Sequence, residues 1–288
     1  MRISESLNIA RELGKTRISL PVSLSALAGF VLKEGQPGWR AFLLAAGVFL
    51  VSCGSAALNH VQESKTDRLM SRTAKRPIPS GRISVRGAML VALAFLAAGT
   101  LILGTAFPTG AWVVSWITLI WYNLVYTPLK KITAFAVIPG SVTGALPPVI
   151  GWVAAGGGVL DPQIILVASF FFIGQIPHFW LLLLMFGDQY GQAGFPTLNK
   201  IFNEQQIRRI TFVWVLATLA SALLVAGYVV QTKVIGLLIL AYVLFLVVSL
   251  LVRFMFQTSF KPLAAFYRLN LLYLMMMLLL IADGWISH

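Results

Sequence analysis

Residues 39–76 read WRAFLLAAGVFLVSCGSAALNHVQESKTDRLMSRTAKR. From Trp39 to Leu58 the stretch holds one charge, Arg40, and is long enough to cross a bilayer core, which takes about 20 apolar residues in a helix. Beyond Leu58 it turns polar. Asn59, Glu63 and Asp67 recur every fourth residue, so a helix that continues past the apolar run carries three oxygen-bearing side chains on one face. Arg68, Arg72, Lys75 and Arg76 follow at once. The segment therefore reads as a membrane helix that delivers a polar stripe to one mouth of the membrane.

The rest of the chain agrees. Of its 288 residues 58% are hydrophobic and 11% charged, less than half the charge of an average soluble protein. That excludes an ordinary soluble enzyme, and it excludes disorder, which needs low hydrophobicity. A single cysteine, Cys53, excludes a disulfide framework and a cysteine-based metal cluster. The sequence predicts an all-α, polytopic membrane protein with nine spans, near 17–33, 39–62, 85–106, 110–126, 134–155, 163–186, 208–230, 233–253 and 264–285. A turn at Phe107–Gly110 separates the third from the fourth. Pro147 and Pro148 are expected to bend the fifth. Residues 1–288 are expected to form a single transmembrane domain with a short tail at 1–16, which has no apolar core of a cleavable signal.

The net charge of +13 sorts topology. Basic residues gather in the tail and in the even-numbered connections, leaving only Lys33, Arg40 and Lys233 on the other side. The tail and those connections are expected in the cytoplasm and the C-terminus outside, in a cell inner (plasma) membrane. Nucleic acid is not an expected partner.

Most acidic residues have structural readings. Glu5 and Glu12 lie in the tail, Glu34 and Glu204 in connections, Asp161 before Pro162 at a helix start, and Asp283 near the far interface. The Asn59–Glu63–Asp67 stripe differs. Hard oxygen donors at that spacing suit Mg²⁺, which keeps waters and shares phosphate oxygens, and neighbouring cations suit a diphosphate. A solvated, salt-bridged loop is the alternative. Asp188 ends the sixth span and is positioned to supply a second metal ligand. Tyr126, Lys130, Lys131, Arg208 and Arg209 are further phosphate-donor candidates. His178, inside the sixth span beside Pro177, is a functional candidate because ionisable groups within a membrane are costly.

The run Asn59-xxx-Glu63-xx-Thr66-Asp67-xx-Met70-x-Arg72-Thr73-xx-Arg76-Pro77-xxx-Gly81 resembles the signature of the UbiA superfamily of intramembrane prenyltransferases. Lys130-Lys131-Ile132-Thr133, the segment Gly144–Trp152, Pro177-His178-Phe179-Trp180 and Asp188-Gln189-Tyr190 resemble its protoheme IX farnesyltransferase branch. The resemblance implies a nine-helix bundle around a central cavity. It implies Mg²⁺-dependent transfer of a farnesyl group from farnesyl diphosphate to a vinyl group of heme B, giving heme O. Heme A synthase or terminal oxidase assembly would be its partners. By resemblance Asn59, Glu63, Asp67 and Asp188 are catalytic metal ligands, Arg72, Arg76, Tyr126 and Lys130 hold diphosphate, and His178 serves the heme acceptor. Glu63 stands where Asp is usual, and Gln189 replaces a second Asp. A quinone or other aromatic acceptor, and a non-enzymatic transporter, are the competing expectations.

Overall fold

The computed structural model describes residues 3–256 and 262–288, with the side chains of Ile3, Asp188 and 251–256 left aside. The regular structure among the described residues is all helical, with no strand. A short helix α1 (Ile3–Leu13) precedes α2 (Thr16–Glu34), α3 (Trp39–Asp67), α4 (Val85–Ala106) and α5 (Thr109–Ile120). The last runs through a π-helical stretch, Trp121–Tyr126, into the single turn α6 (Thr127–Leu129). Then come α7 (Val137–Gly140), α8 (Val142–Ala154), α9 (Pro162–Gln192), α10 (Glu204–Tyr228), α11 (Lys233–Phe256) and α12 (Pro262–Ser287).

Seven helical segments among the described residues are long and apolar enough to cross a membrane: those at 39–67, 85–106, 137–154, 162–187, 204–228, 233–250 and 262–287. The other two expected spans are also helical, but α2 carries Arg17, Lys33 and Glu34 at its ends and α5 changes to π geometry after twelve residues. Several helices outrun their expected apolar cores. The second reaches Asp67 instead of 62, and the sixth reaches Gln192 instead of 186. Helix α8 runs through both Pro147 and Pro148, and the helical interruption in this span falls at Ser141, between α7 and α8. The break between α4 and α5 comes at Phe107 and Pro108, where the turn was expected.

Helix α2 occupies the middle of the packing and approaches α8 at backbone contact. A Cβ on Gly29 would lie 2.0 Å from the Pro148 carbonyl oxygen, and one on Gly151 would lie 1.8 Å from that of Ala26. Small residues of this kind let membrane helices gain contact where lipid offers no hydrophobic drive. Phe30, Leu44, Leu103, Phe170 and Leu280 fill the interior. Phe42, Leu90, Leu101, Val213 and Phe245 stay exposed on the outer surface, as lipid-facing residues should.

The two ends of the bundle differ. One gathers α1, the 68–84 connection and the segments around 130 and 195, tied by Arg82 to Glu12 at 2.6 and 2.8 Å and by Arg72 to the Tyr190 hydroxyl at 3.0 Å. The other holds the Glu34–Arg40 pair, Lys33 over the Trp152 ring and Asp161, which accepts from the Trp152 indole at 2.8 Å. That indole N–H, with the Gly158 amide, holds the Asp161 carboxyl below its ordinary range. Asp283, fully buried at this end, accepts from the backbone amides of Gln231 (3.1 Å) and Thr232 (2.8 Å), just before α11 begins. Replacing it strands two donors, so Asp283→Ala should lose about 2 kcal/mol, measured by thermal unfolding in detergent with the α10–α11 turn otherwise unchanged.

Candidate active site at the charged mouth

Helix α3 stays helical past its apolar run, and Asn59, Glu63 and Asp67 project from one face into protein. Their exposures are 1%, 8% and 1%. Burial of two carboxylates is tolerated only with partners, and each polar group of the stripe has a cationic one. Lys15 donates to the Asn59 oxygen at 2.7 Å, Lys130 pairs with Glu63 at 2.6 Å, and Arg76 reaches both oxygens of Asp67 at 2.8 Å. Three oxygen-bearing side chains and three basic ones thus pair along about two turns of α3.

Each cation arrives from a different part of the chain. Arg76 comes from the turns that follow α3, where the Thr73 hydroxyl donates to the Asp67 carbonyl at 2.8 Å. Lys130 comes from the end of the α5–α6 segment. The π-helical stretch there buries Asn123 and Tyr126, and Thr127 is buried just after it; single π turns of this kind recur at functional sites. The Asn123 amide donates to the Ser55 carbonyl at 3.0 Å and to Gln62 at 3.2 Å, and the Asn59 amide donates to the Thr127 hydroxyl at 3.2 Å. Those bonds lock α3 against the π segment. Lys130 also lies 5.0 Å from the centre of the Tyr126 ring. Burial alone would lower its pKa, but the Glu63 carboxylate outweighs that and raises it.

Lys15 is the residue that sequence reading placed in the tail as a topology charge. It sits between α1 and α2 with φ 43°, the left-handed region that costs a side chain energy. Lys15 is half-buried, and the loss of water around its ammonium, helped by the charge of Arg76, brings its pKa down to about 7. Nothing in residues 11–17 announces this position; it follows from α1 folding back across the mouth.

Arg72 leaves the α3 stripe and spans to α9, donating to Tyr190 and stacking over Phe186 at 5.2 Å. Asp188 lies on α9 between those two contacts, and its side chain is outside the described residues. The neighbouring Gln189 has a buried amide oxygen with no protein partner. Arg208 and Arg209 open α10, and Lys131 follows Lys130 on the same turn. His178 stands deeper on α9, in ring contact with Phe179, Phe266 and Tyr273.

No group of three or more His, Cys, Asp or Glu converges as a metal cage among the described residues. The donors nevertheless suit a hard divalent ion that shares its shell with a phosphate, which needs only one or two carboxylates from protein. Glu63 and Asp67 would supply those carboxylates and Asn59 an amide oxygen, with Lys15, Lys130 and Arg76 at hand for an anion.

The pairing is testable without substrate. Lys130→Met leaves Glu63 buried and unpaired, which should cost about 3 kcal/mol, the low end of the range because Lys130 keeps partial exposure. Glu63→Gln combined with Lys130→Met should recover most of it, as read by unfolding in metal-free detergent.

The arrangement is that of an intramembrane transferase of prenyl diphosphates. The chain belongs to the UbiA prenyltransferase family, whose profile matches residues 22–280. It is 34% identical to the protoheme IX farnesyltransferase of Oleidesulfovibrio alaskensis over 283 residues, 98% of each chain. It is 38% identical over 214 residues to the enzyme of that name from Geobacter sulfurreducens, covering 74% of this chain and 79% of that one. A UbiA homolog from Archaeoglobus fulgidus, solved with GPP and Mg²⁺, superposes with a TM-score of 0.74 at 19% identity, over 96% of this chain and 98% of that one. That likeness shows the same fold.

Proposed function

We propose that this chain is a Mg²⁺-dependent protoheme IX farnesyltransferase, joining the farnesyl group of farnesyl diphosphate to a vinyl group of heme B. The observation that carries the diphosphate half is the pairing of Lys15, Arg76 and Lys130 with Asn59, Asp67 and Glu63. The acceptor half is supported by the similarity to the two farnesyltransferases along most of the chain. We place the enzyme in the plasma membrane, with this mouth facing the cytoplasm where most of its Lys and Arg lie.

In an allylic diphosphate the difficult event is departure of the diphosphate with its bonding electrons. Bound Mg²⁺, held by Asn59, Glu63, Asp67 and Asp188, would supply charge neutralisation at the departing oxygens. Arg72, Arg76 and Lys130 hold the remaining oxygens, and Lys130 is kept charged by its surroundings. Tyr126 presents its ring to the same place, and an aromatic face steadies an allylic cation. Apolar walls exclude water from that cation until the acceptor reacts.

Purified protein in lipid vesicles, given heme B, farnesyl diphosphate and Mg²⁺, should release diphosphate and convert heme B to a porphyrin heavier by one farnesyl group and one hydroxyl, its vinyl having become a hydroxyethylfarnesyl chain. Chelation with EDTA should abolish both. Release of diphosphate with heme unchanged would reject the acceptor and leave the prenyltransferase; a quinone acceptor would then be tried in its place.

A further inference from the structure

Away from the charged mouth, α9 and α12 face each other with two polar groups that the diphosphate chemistry does not use. Tyr273 is 6% exposed, and its hydroxyl is buried without a hydrogen-bond partner. The His178 ring lies 6.2 Å from the Tyr273 ring, centre to centre, and its Nδ1 is likewise buried and unpartnered. Asn270, one turn before Tyr273 on α12, is within hydrogen-bonding reach of the imidazole. Around them stand Phe266, 4.7 Å from the His178 ring, and Phe170, 5.8 Å from that of Tyr273. Helix α9 has no side chain opposite the hydroxyl: a Cβ on Gly174 would lie 2.3 Å from it. Two orphaned polar atoms in an aromatic shell inside a membrane carry a desolvation penalty that apolar residues would avoid. A third partner, accepting from one and donating to the other, removes it.

This pair is joined to the diphosphate mouth by a short aromatic path. Lys130 sits on the Tyr126 ring, Tyr126 lies 6.0 Å from Phe179, and Phe179 lies 5.8 Å from His178. A group ionised at Lys130 and Tyr126 therefore has His178 and Tyr273 on the far side of one phenyl ring.

We propose that His178 and Tyr273, with Asn270 as the positioning residue, hold the water that completes the reaction. The proposal rests on the heme farnesyltransferase reading. Farnesyl diphosphate loses its C1–O bond, and that electron pair leaves with diphosphate. The vinyl π pair forms the new bond to C1, which places the positive charge on the vinyl carbon attached to the porphyrin. A water oxygen then bonds that carbon and gives up one proton. An Asn270 carbonyl that accepts from Nε2–H keeps the imidazole in the tautomer whose Nδ1 carries a lone pair, and Nδ1 takes that proton. The Tyr273 hydroxyl donates to the water and points its lone pair at the cation. Without a held water, the same cation sheds a neighbouring proton instead, giving an alkene lighter by one water.

The experiment is product partitioning by the whole protein in lipid vesicles, with heme B, farnesyl diphosphate, Mg²⁺ and ¹⁸O-water. Wild type should give the alcohol with ¹⁸O in it. Among prenylated products, His178→Gln should lower the ratio of alcohol to alkene about 100-fold, the contribution of a well-placed base, and Tyr273→Phe about tenfold. A merely structural role would reduce total product and leave that ratio unmoved. A wild-type ratio in both variants overturns the proposal, as does unlabelled oxygen in the wild-type alcohol. A variant that releases diphosphate yet prenylates no heme also overturns it, since the pair would then serve acceptor binding. Wild type that releases diphosphate and leaves heme untouched defeats the acceptor reading itself, a distinguishable result.

Discussion

Asp67→Asn should reduce farnesyl transfer by about 100-fold or more while leaving the protein folded. Asp67 is 1% exposed and both its oxygens contact Arg76 at 2.8 Å. Asparagine keeps the size and one acceptor oxygen, so Arg76 retains a partner and the turn after α3 survives. What disappears is the negative charge that draws a divalent cation and sets the position of Arg76. Removing one preorganised electrostatic group from a transition state of this kind costs about 2.7–4 kcal/mol, and both diphosphate release and heme prenylation should fall together. Raising Mg²⁺ should recover only part of the loss, since the cation regains occupancy but not its neutralised ligand. A variant that unfolds no more readily than wild type and turns over at wild-type rate would remove Asp67 from the chemistry.

The stripe was legible because it needs only a helix. Once Asn59, Glu63 and Asp67 share a face, the meeting of Asp67 with a basic residue of the same connection, Arg76, is close to dictated by sequence distance. Lys130 was reachable as a charge at the correct end, though nothing local pairs it with Glu63. Lys15 was not legible. Its role depends on α1 turning back at a left-handed residue, and a lysine in a basic tail carries the same sequence signal whether it faces solvent or Asn59. The π stretch at 121–126 was also silent, because its residues, WYNLVY, satisfy an α-helical apolar pattern equally well. Pro147 and Pro148 lie inside α8, and the close approach of the Pro148 carbonyl to Gly29 of α2 at that pair was silent in the sequence.

That packing carries the second large effect. Gly151→Val should cost more than about 3 kcal/mol and in practice prevent assembly. Overpacking in a core costs about 1–3 kcal/mol when flexible side chains can move aside. At Gly151 the obstacles are backbone: the Ala26 carbonyl oxygen at 1.8 Å and the Phe30 nitrogen at 2.7 Å from the added Cβ. Relief requires α2 and α8 to separate, and α2 also packs on α12, where a Cβ on Gly284 would lie 2.5 Å from the Val31 oxygen. Parting one contact therefore loosens the helices that seat Lys15 and Tyr273. Gly227→Ala is the matched control, because that helical glycine has open space around it and alanine there should stabilise by about 0.5–1 kcal/mol. Thermal unfolding in detergent, with the yield of monodisperse protein, measures both. Gly151→Val that melts with wild type would mean that α2 and α8 do not meet at this crossing, and the seating of Lys15 against Asn59 would lose its support.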